Sequence, residues 1–180
     1  MEEGSSFQYT MYNKKGKTEG ITDYTISKVS SEDGATSATF DFKFTDEKGK
    51  ELLNSDYKIS CSGDGIKIDY ESLFPTQMMQ QYEDMGLEMD ISGTDIQLPN
   101  DLSVGKALED ANLAIVMNMS GIKMRVSVDQ TDRKVEKKES ITTPAGTFEC
   151  YLITETNTMK TMGTPQETHN KLWLAEGVGM

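Results

Sequence analysis

The sequence predicts a mainly β protein: a curved antiparallel sheet or open half-barrel, with one helix at about residues 72–85 packed against it. Three observations carry this. Apolar and polar side chains alternate with a period of two over most of the chain, as in Phe40, Phe42 and Phe44 against Asp41, Lys43 and Thr45, and this pattern gives a strand one apolar face. Polar turns containing glycine separate the alternating runs. One segment alone changes period: Leu73, Phe74, Met78, Met79, Tyr82 and Met85 fall at helical spacing. Strongly curved antiparallel sheets often close into open barrels, and a helix laid across them covers the apolar side.

Taken in order, Phe7–Tyr12 is strand-like and Asn13-Lys14-Lys15-Gly16-Lys17 is a turn. Ile21–Val29 alternates and ends at the turn Ser31-Glu32-Asp33-Gly34. The run through Phe40, Phe42 and Phe44 is the cleanest half-buried strand, and Asp46-Glu47-Lys48-Gly49-Lys50 turns it. The two segments FQYTMYNKKGK and FDFKFTDEKGK echo one another. Two copies do not make a solenoid, and the simpler reading is two hairpins using the same turn chemistry. Tyr57, Ile59 and Cys61 share a face, and Ser62-Gly63-Asp64-Gly65 leads into Ile66, Ile68 and Tyr70. The helix follows, with Ser72 as its cap, Pro75 in its first turn and Gly86 as its stop. Leu87, Met89 and Ile91 return to alternation, Ile96–Gly105 reads as a loop, and a short turn is expected near Ala107–Asp110. Leu113, Ile115, Met117 and Met119 form a strand that Gly121 turns into Ile122, Met124, Val126 and Val128. Arg133–Glu139 is charged and extended.

The C-terminal stretch organises the rest. Thr142-Thr143-Pro144-Ala145-Gly146-Thr147 is a turn, because proline presets φ and glycine permits φ above zero. Phe148, Cys150 and Leu152 then alternate with Glu149, Tyr151 and Ile153. With both faces partly apolar, this is a central strand. Lys171-Leu172-Trp173-Leu174-Ala175 brings the only tryptophan, whose indole N–H needs a partner when buried. Between them, Thr154–His169 is polar and reads either as a long hairpin or as strand–loop–strand.

Length and composition set bounds. A chain of 180 residues with no Pro-rich or Ser-rich linker is expected to form one domain, 1–180. The net charge of -12 opposes binding to nucleic acid and to anionic lipid headgroups. No run of about 18 apolar residues is present, so no segment is expected to span a membrane as a helix. The acidic start, Met1-Glu2-Glu3-Gly4, is unlike a signal peptide. Cys61 and Cys150 are either two buried hydrophobes or a disulfide formed in an oxidising compartment.

Catalytic signatures are missing from the sequence. The single histidine, His169, lies in a polar stretch with no ligand-like cluster beside it. Nucleophile-elbow, zincin, P-loop and dinucleotide motifs are lacking, and Asp64, Asp69 and Glu71 do not have EF-hand spacing. Asn118-Met119-Ser120 matches a glycosylation tripeptide but sits inside a predicted strand. The expectation is a protein that is not an enzyme and needs no cofactor or metal. The methionines have two readings. One is a soft core, since Met fills irregular gaps. The other is an apolar pocket under the helix, lined by Phe74, Met78, Met79, Tyr82, Met85, Met117 and Trp173 and able to hold a lipid or another apolar ligand.

The segments ESITTPAGTFECYLI (139–153) and KLWLAEGVGM (171–180), with EEGSSFQYTMYNKKGK (2–17) and the second Lys-Gly-Lys turn, resemble a group of exported β-rich proteins of Bacteroidetes. This group is catalogued as a domain of unknown function and labelled TapB-like. The resemblance covers most of the chain. It implies a periplasmic or outer-membrane-associated, lipoprotein-type protein with a signal segment ahead of Met1, and a sheet like that of lipoprotein-carrier half-barrels. It also implies one more strand beyond the Gly-Val-Gly motif, and an exported setting that favours a Cys61–Cys150 disulfide. It supplies no catalytic residue. The function expected is binding or envelope assembly, with another envelope protein or a lipid as partner, or carriage of an apolar ligand.

Overall fold

Among the described residues of this computed structural model, 1–69, 84, 86–119, 122–161 and 164–177, the regular structure is antiparallel β. The helix expected over 72–85 falls outside them apart from Asp84, and no helix is among the described elements. Two compact units make up the chain, Met1–Gln81 and Tyr82–Met180.

The first unit holds β1 (Ser6–Tyr12), β2 (Thr18–Glu32), β3 (Ala35–Asp46), β4 (Glu51–Ser62) and β5 (Gly65–Ile68). Each strand pairs antiparallel with the next in chain order. The two echoing segments build the same turn twice. Asn13 Oδ1 accepts hydrogen bonds from the N–H groups of Lys15 and Lys17, and Asp46 Oδ1 accepts them from Lys48 and Lys50. Gly16 and Gly49 sit at φ 74° and 78°, where a side chain would be strained.

Directly opposed residues on paired strands share a face. One face of this sheet therefore carries Phe7, Tyr24 and Phe42 in one row and Ile26, Phe40 and Tyr57 in the next. Its centre is buried: Ile26, Ala38 and Phe40, with Val29, Tyr57 and Ile59 packed against them. Burying a ring the size of Phe40 stabilises by about 2 kcal/mol. A bulge between Ile26 and Lys28 changes the phase of β2, so Ile26 and Val29, three residues apart, both face this core. Gly20 is required beneath the Phe44 ring, which a Cβ at that position would strike.

The second unit holds β6 (Glu88–Thr94), β7 (Ile96–Pro99), β8 (Ala111–Met119), β9 (Ile122–Thr143), β10 (Gly146–Lys160) and β11 (Gln166–Ala175). Five of these lie in the order β11-β10-β9-β8-β6. The predicted loop Ile96–Gly105 therefore begins as a strand. Its Ile-Gln-Leu alternation is only four residues long, and Pro99 closes it, which is why composition alone reads it as loop. The expected turn near Ala107–Asp110 is instead a strap laid on β9. Gly105 N–H donates to Val135 O, Val135 N–H to Lys106 O, and Leu108 N–H to Arg133 O, with an antiparallel bridge between Ala107 and Lys134.

As expected, β10 is a central strand, paired on both sides. The polar stretch Thr154–His169 is the long hairpin, with β10 continuing to Lys160 and β11 resuming at Gln166. Val135 and Ile153 face one another and are both 0% exposed. Cys150, Leu152 and Ala175 are buried beside them.

Candidate functional site

Two of the seven residues expected to line an apolar pocket are described. Phe74, Met78, Met79, Tyr82 and Met85 lie outside the described residues. Met117 is on β8, paired with Met124 of β9. Trp173 is on β11, opposite Leu152, which is opposite Lys137 of β9. Positions 124 and 137 of the same strand are separated by roughly 40 Å of extended chain. The sheet does not bring Met117 and Trp173 together.

It brings Met117 to other methionines. Met89 of β6, Met117 of β8 and Met124 of β9 form one cross-strand row. The next row on the same face is Ile91, Ile115 and Val126, and the one after it includes Leu113 and Val128. All eight side chains are half-buried, in contrast with the fully buried cluster around Val135 and Ile153. The opposite face of these strands is mostly polar, with Ala114 and Val116 as its apolar members: Glu88 Oε2 accepts a hydrogen bond from Asn118 Nδ2 at 3.2 Å, and Lys160 Nζ pairs with Asp129 at 2.8 Å. Alternation in the sequence marks these strands, but only the register puts three methionines side by side.

The first unit carries a second apolar face, made of rings. Phe7 stacks on Tyr24 with centroids 4.9 Å apart, and Phe40 stacks on Tyr57 at 5.4 Å. Burial pushes the Tyr57 phenol well above its ordinary range, and the neighbouring Tyr24 and Tyr9 add to this. These tyrosines stay neutral and serve as packing surface.

Trp173 makes the polar contact its indole needs. Nε1–H donates to Glu139 Oε1 at 2.9 Å, and Lys137 Nζ meets Glu139 Oε2 at 2.7 Å. The hydrogen bond from Lys137 and then that from Trp173 hold the Glu139 carboxyl below its usual range. Nearby, a cleft of about 290 Å³ lies on the β9–β10 hairpin, bounded by Lys138, Phe148, Glu149 and Tyr151. Its charged rim, with Lys138 5.2 Å from the Tyr151 ring centroid, makes it unlike an apolar-ligand site.

Arg133 lies in the run predicted to be charged and extended, yet its side chain is buried, 2% exposed against 12% for Glu155, which stands 3.5 Å from its Nε. Nη1–H donates to Glu109 O at 2.7 Å and to Gln97 O at 3.4 Å. Asp132, at φ 54°, and the register shifts on either side turn the arginine inward. No feature of the sequence separates Arg133 from its charged neighbours. The two cysteines lie on strands of different units, Cys61 half-buried in β4 and Cys150 buried in β10. Cys150 Sγ lies 3.5 Å from Phe148 O.

Fold and site together define a mainly antiparallel β protein with an apolar face on each sheet. The chain belongs to the DUF3108-like family, whose profile matches residues 2–180. Two solved structures share the fold. One is a Bacteroides fragilis protein described as exported and as having a YmcC-like fold, with a TM-score of 0.74, 21% identity, and 99% of this chain matched to 85% of that one. The other is a Parabacteroides distasonis protein described as a lipoprotein, with a TM-score of 0.76, 22% identity, and the same shares covered. No curated protein matches the chain. Among the described residues, no helix is long and apolar enough to cross a membrane.

Proposed function

We infer that this protein works outside the cytoplasm, in the cell envelope, by binding rather than by catalysis. The ligand we assign to it carries an acyl or similarly apolar chain, held on the face formed by β6, β8 and β9. The observation that carries this reading is the row Met89–Met117–Met124 with the row Ile91–Ile115–Val126 beside it. These side chains offer no proton donor, nucleophile or charge, and they are half-buried where a core would be sealed. Methionine adapts its shape to a flexible chain. The envelope setting is supported by the two fold neighbours, described as an exported protein and a lipoprotein.

Native mass spectrometry tests the reading. Protein purified from an envelope fraction is expected to carry an adduct of lipid mass, or to take up added long-chain fatty acid. Met117→Lys or Val126→Glu should weaken uptake about tenfold or more, because a charge would then face the chain, while the circular dichroism stays unchanged. Repeated preparations showing only the bare mass, with no uptake of the fatty acid, would sink it.

A further inference from the structure

Strand β1 stands at the end of the strand order among the described residues. Natural edge strands are guarded by charge, proline or shortness. The terminal strand β11 of the other sheet follows that rule, with Glu167, His169 and Lys171 along it. Strand β1, SFQYTMY, has seven residues and neither a charge nor a proline. Phe7, Met11 and Tyr12 are 36%, 43% and 61% exposed.

The phase of its backbone bonding is set at its start. Ile26 N–H donates to Ser5 O at 2.9 Å, and Gly4 N–H to Ile26 O at 2.8 Å. Bonded pairs alternate along an antiparallel ladder, so Phe7 and Tyr9 exchange bonds with β2. The N–H and C=O groups of Ser6, Gln8 and Thr10 then point away from it. Such a row of groups is matched by another extended strand.

We propose that this strand is a second copy of β1, paired antiparallel about a two-fold axis at Tyr9. Under that register Gln8 lies opposite Thr10 of the other copy, so outward groups meet outward groups. Phe7 lies opposite Met11, which carries the aromatic face across the junction. The flanks supply the charge complementarity. Glu2 and Glu3 precede the strand, and Lys14, Lys15 and Lys17 follow it. The two-fold sets the acidic flank of each copy beside the basic turn of the other, twice, and opposes no like charges along the strand itself. A chain of net charge -12 would resist most other self-contacts.

Sedimentation velocity over a concentration series is the test. The full chain is expected to reach twice its monomer mass, with weaker association at high salt. Gln8→Pro, which removes an outward N–H, and Thr10→Lys, which puts like charges near one another, should each raise the dissociation constant at least about tenfold with unchanged circular dichroism. Should either variant fold poorly, oxidative cross-linking reads the register instead. Tyr9→Cys should give a linked dimer, because a cysteine on the axis faces its own copy at a non-bonded pair. Thr10→Cys and the unaltered chain should not. A chain monomeric throughout, a dimer indifferent to both β1 variants, or a monomer that pairs β1 only with a strand of a different envelope protein would each overturn the proposal.

Discussion

Glu139 shows how much chemistry one surface carboxylate can concentrate. It receives Lys137 and the indole of Trp173 together, and Lys137 is the larger cause of its lowered pKa. A carboxyl lowered in the folded state contributes fully above the ordinary glutamate range and loses that contribution as pH falls through the lowered value. Because Trp173 is the only tryptophan, its fluorescence reports this directly. The emission should change with a midpoint below the usual value of about 4.3, and Glu139→Gln should flatten that step. A midpoint at or above the ordinary value would mean that the carboxylate does not hold the indole in solution. The need for an indole partner could be foreseen from the sequence. The partner itself could not, since Glu139 and Trp173 are distant in sequence and meet only because β10 separates their strands by one position.

At the scale of elements, the strap at Gly105–Leu108 is held to β9 from two directions. Its backbone bonds reach Val135 and Arg133, and the Arg133 guanidinium bonds the carbonyls of Gln97 and Glu109 while standing beside Glu155. Removing the cation leaves a carboxylate and two carbonyls without it in a buried setting. Arg133→Met should therefore lower stability by about 3 kcal/mol, measured by urea unfolding. Arg133→Met combined with Glu155→Leu should cost less than the sum of the two single changes, because the second removes the group left without its partner. Additive losses would show that the two do not act as a pair. The charge run Arg133–Glu139 reads as a solvated strand, and most of it is. Two register shifts in β9 invert that reading at one residue, and a bulge leaves no mark in composition.

At the scale of the whole molecule, the two cysteines join the fold to its compartment. Cys61 lies in the first unit and Cys150 in the second. Titration of protein from its native compartment, under denaturing and non-reducing conditions, should find no free thiol if the chain works in an oxidising compartment. A count of two would mean that the cysteines stay unlinked where the chain works and would weaken the export reading. The same scale holds the contrast between edges: β11 is charged and β1 is bare, and pairing between copies follows from that difference.

The sequence by itself determined the antiparallel β class, most of the strands, the repeated Lys-Gly-Lys turns and the central place of β10. Each of these is written in a local pattern: a period of two, or a turn residue with one permitted conformation. Tertiary structure alone decided that Arg133 turns inward, that Ile26 and Val29 share a core, and that Met89, Met117 and Met124 stand in one row while Trp173 stands far along the sheet. Those outcomes depend on bulges and on cross-strand register, which arise from pairing between distant segments. Side-chain periodicity tells which residues of a strand agree in direction; only the partner strand tells what they meet.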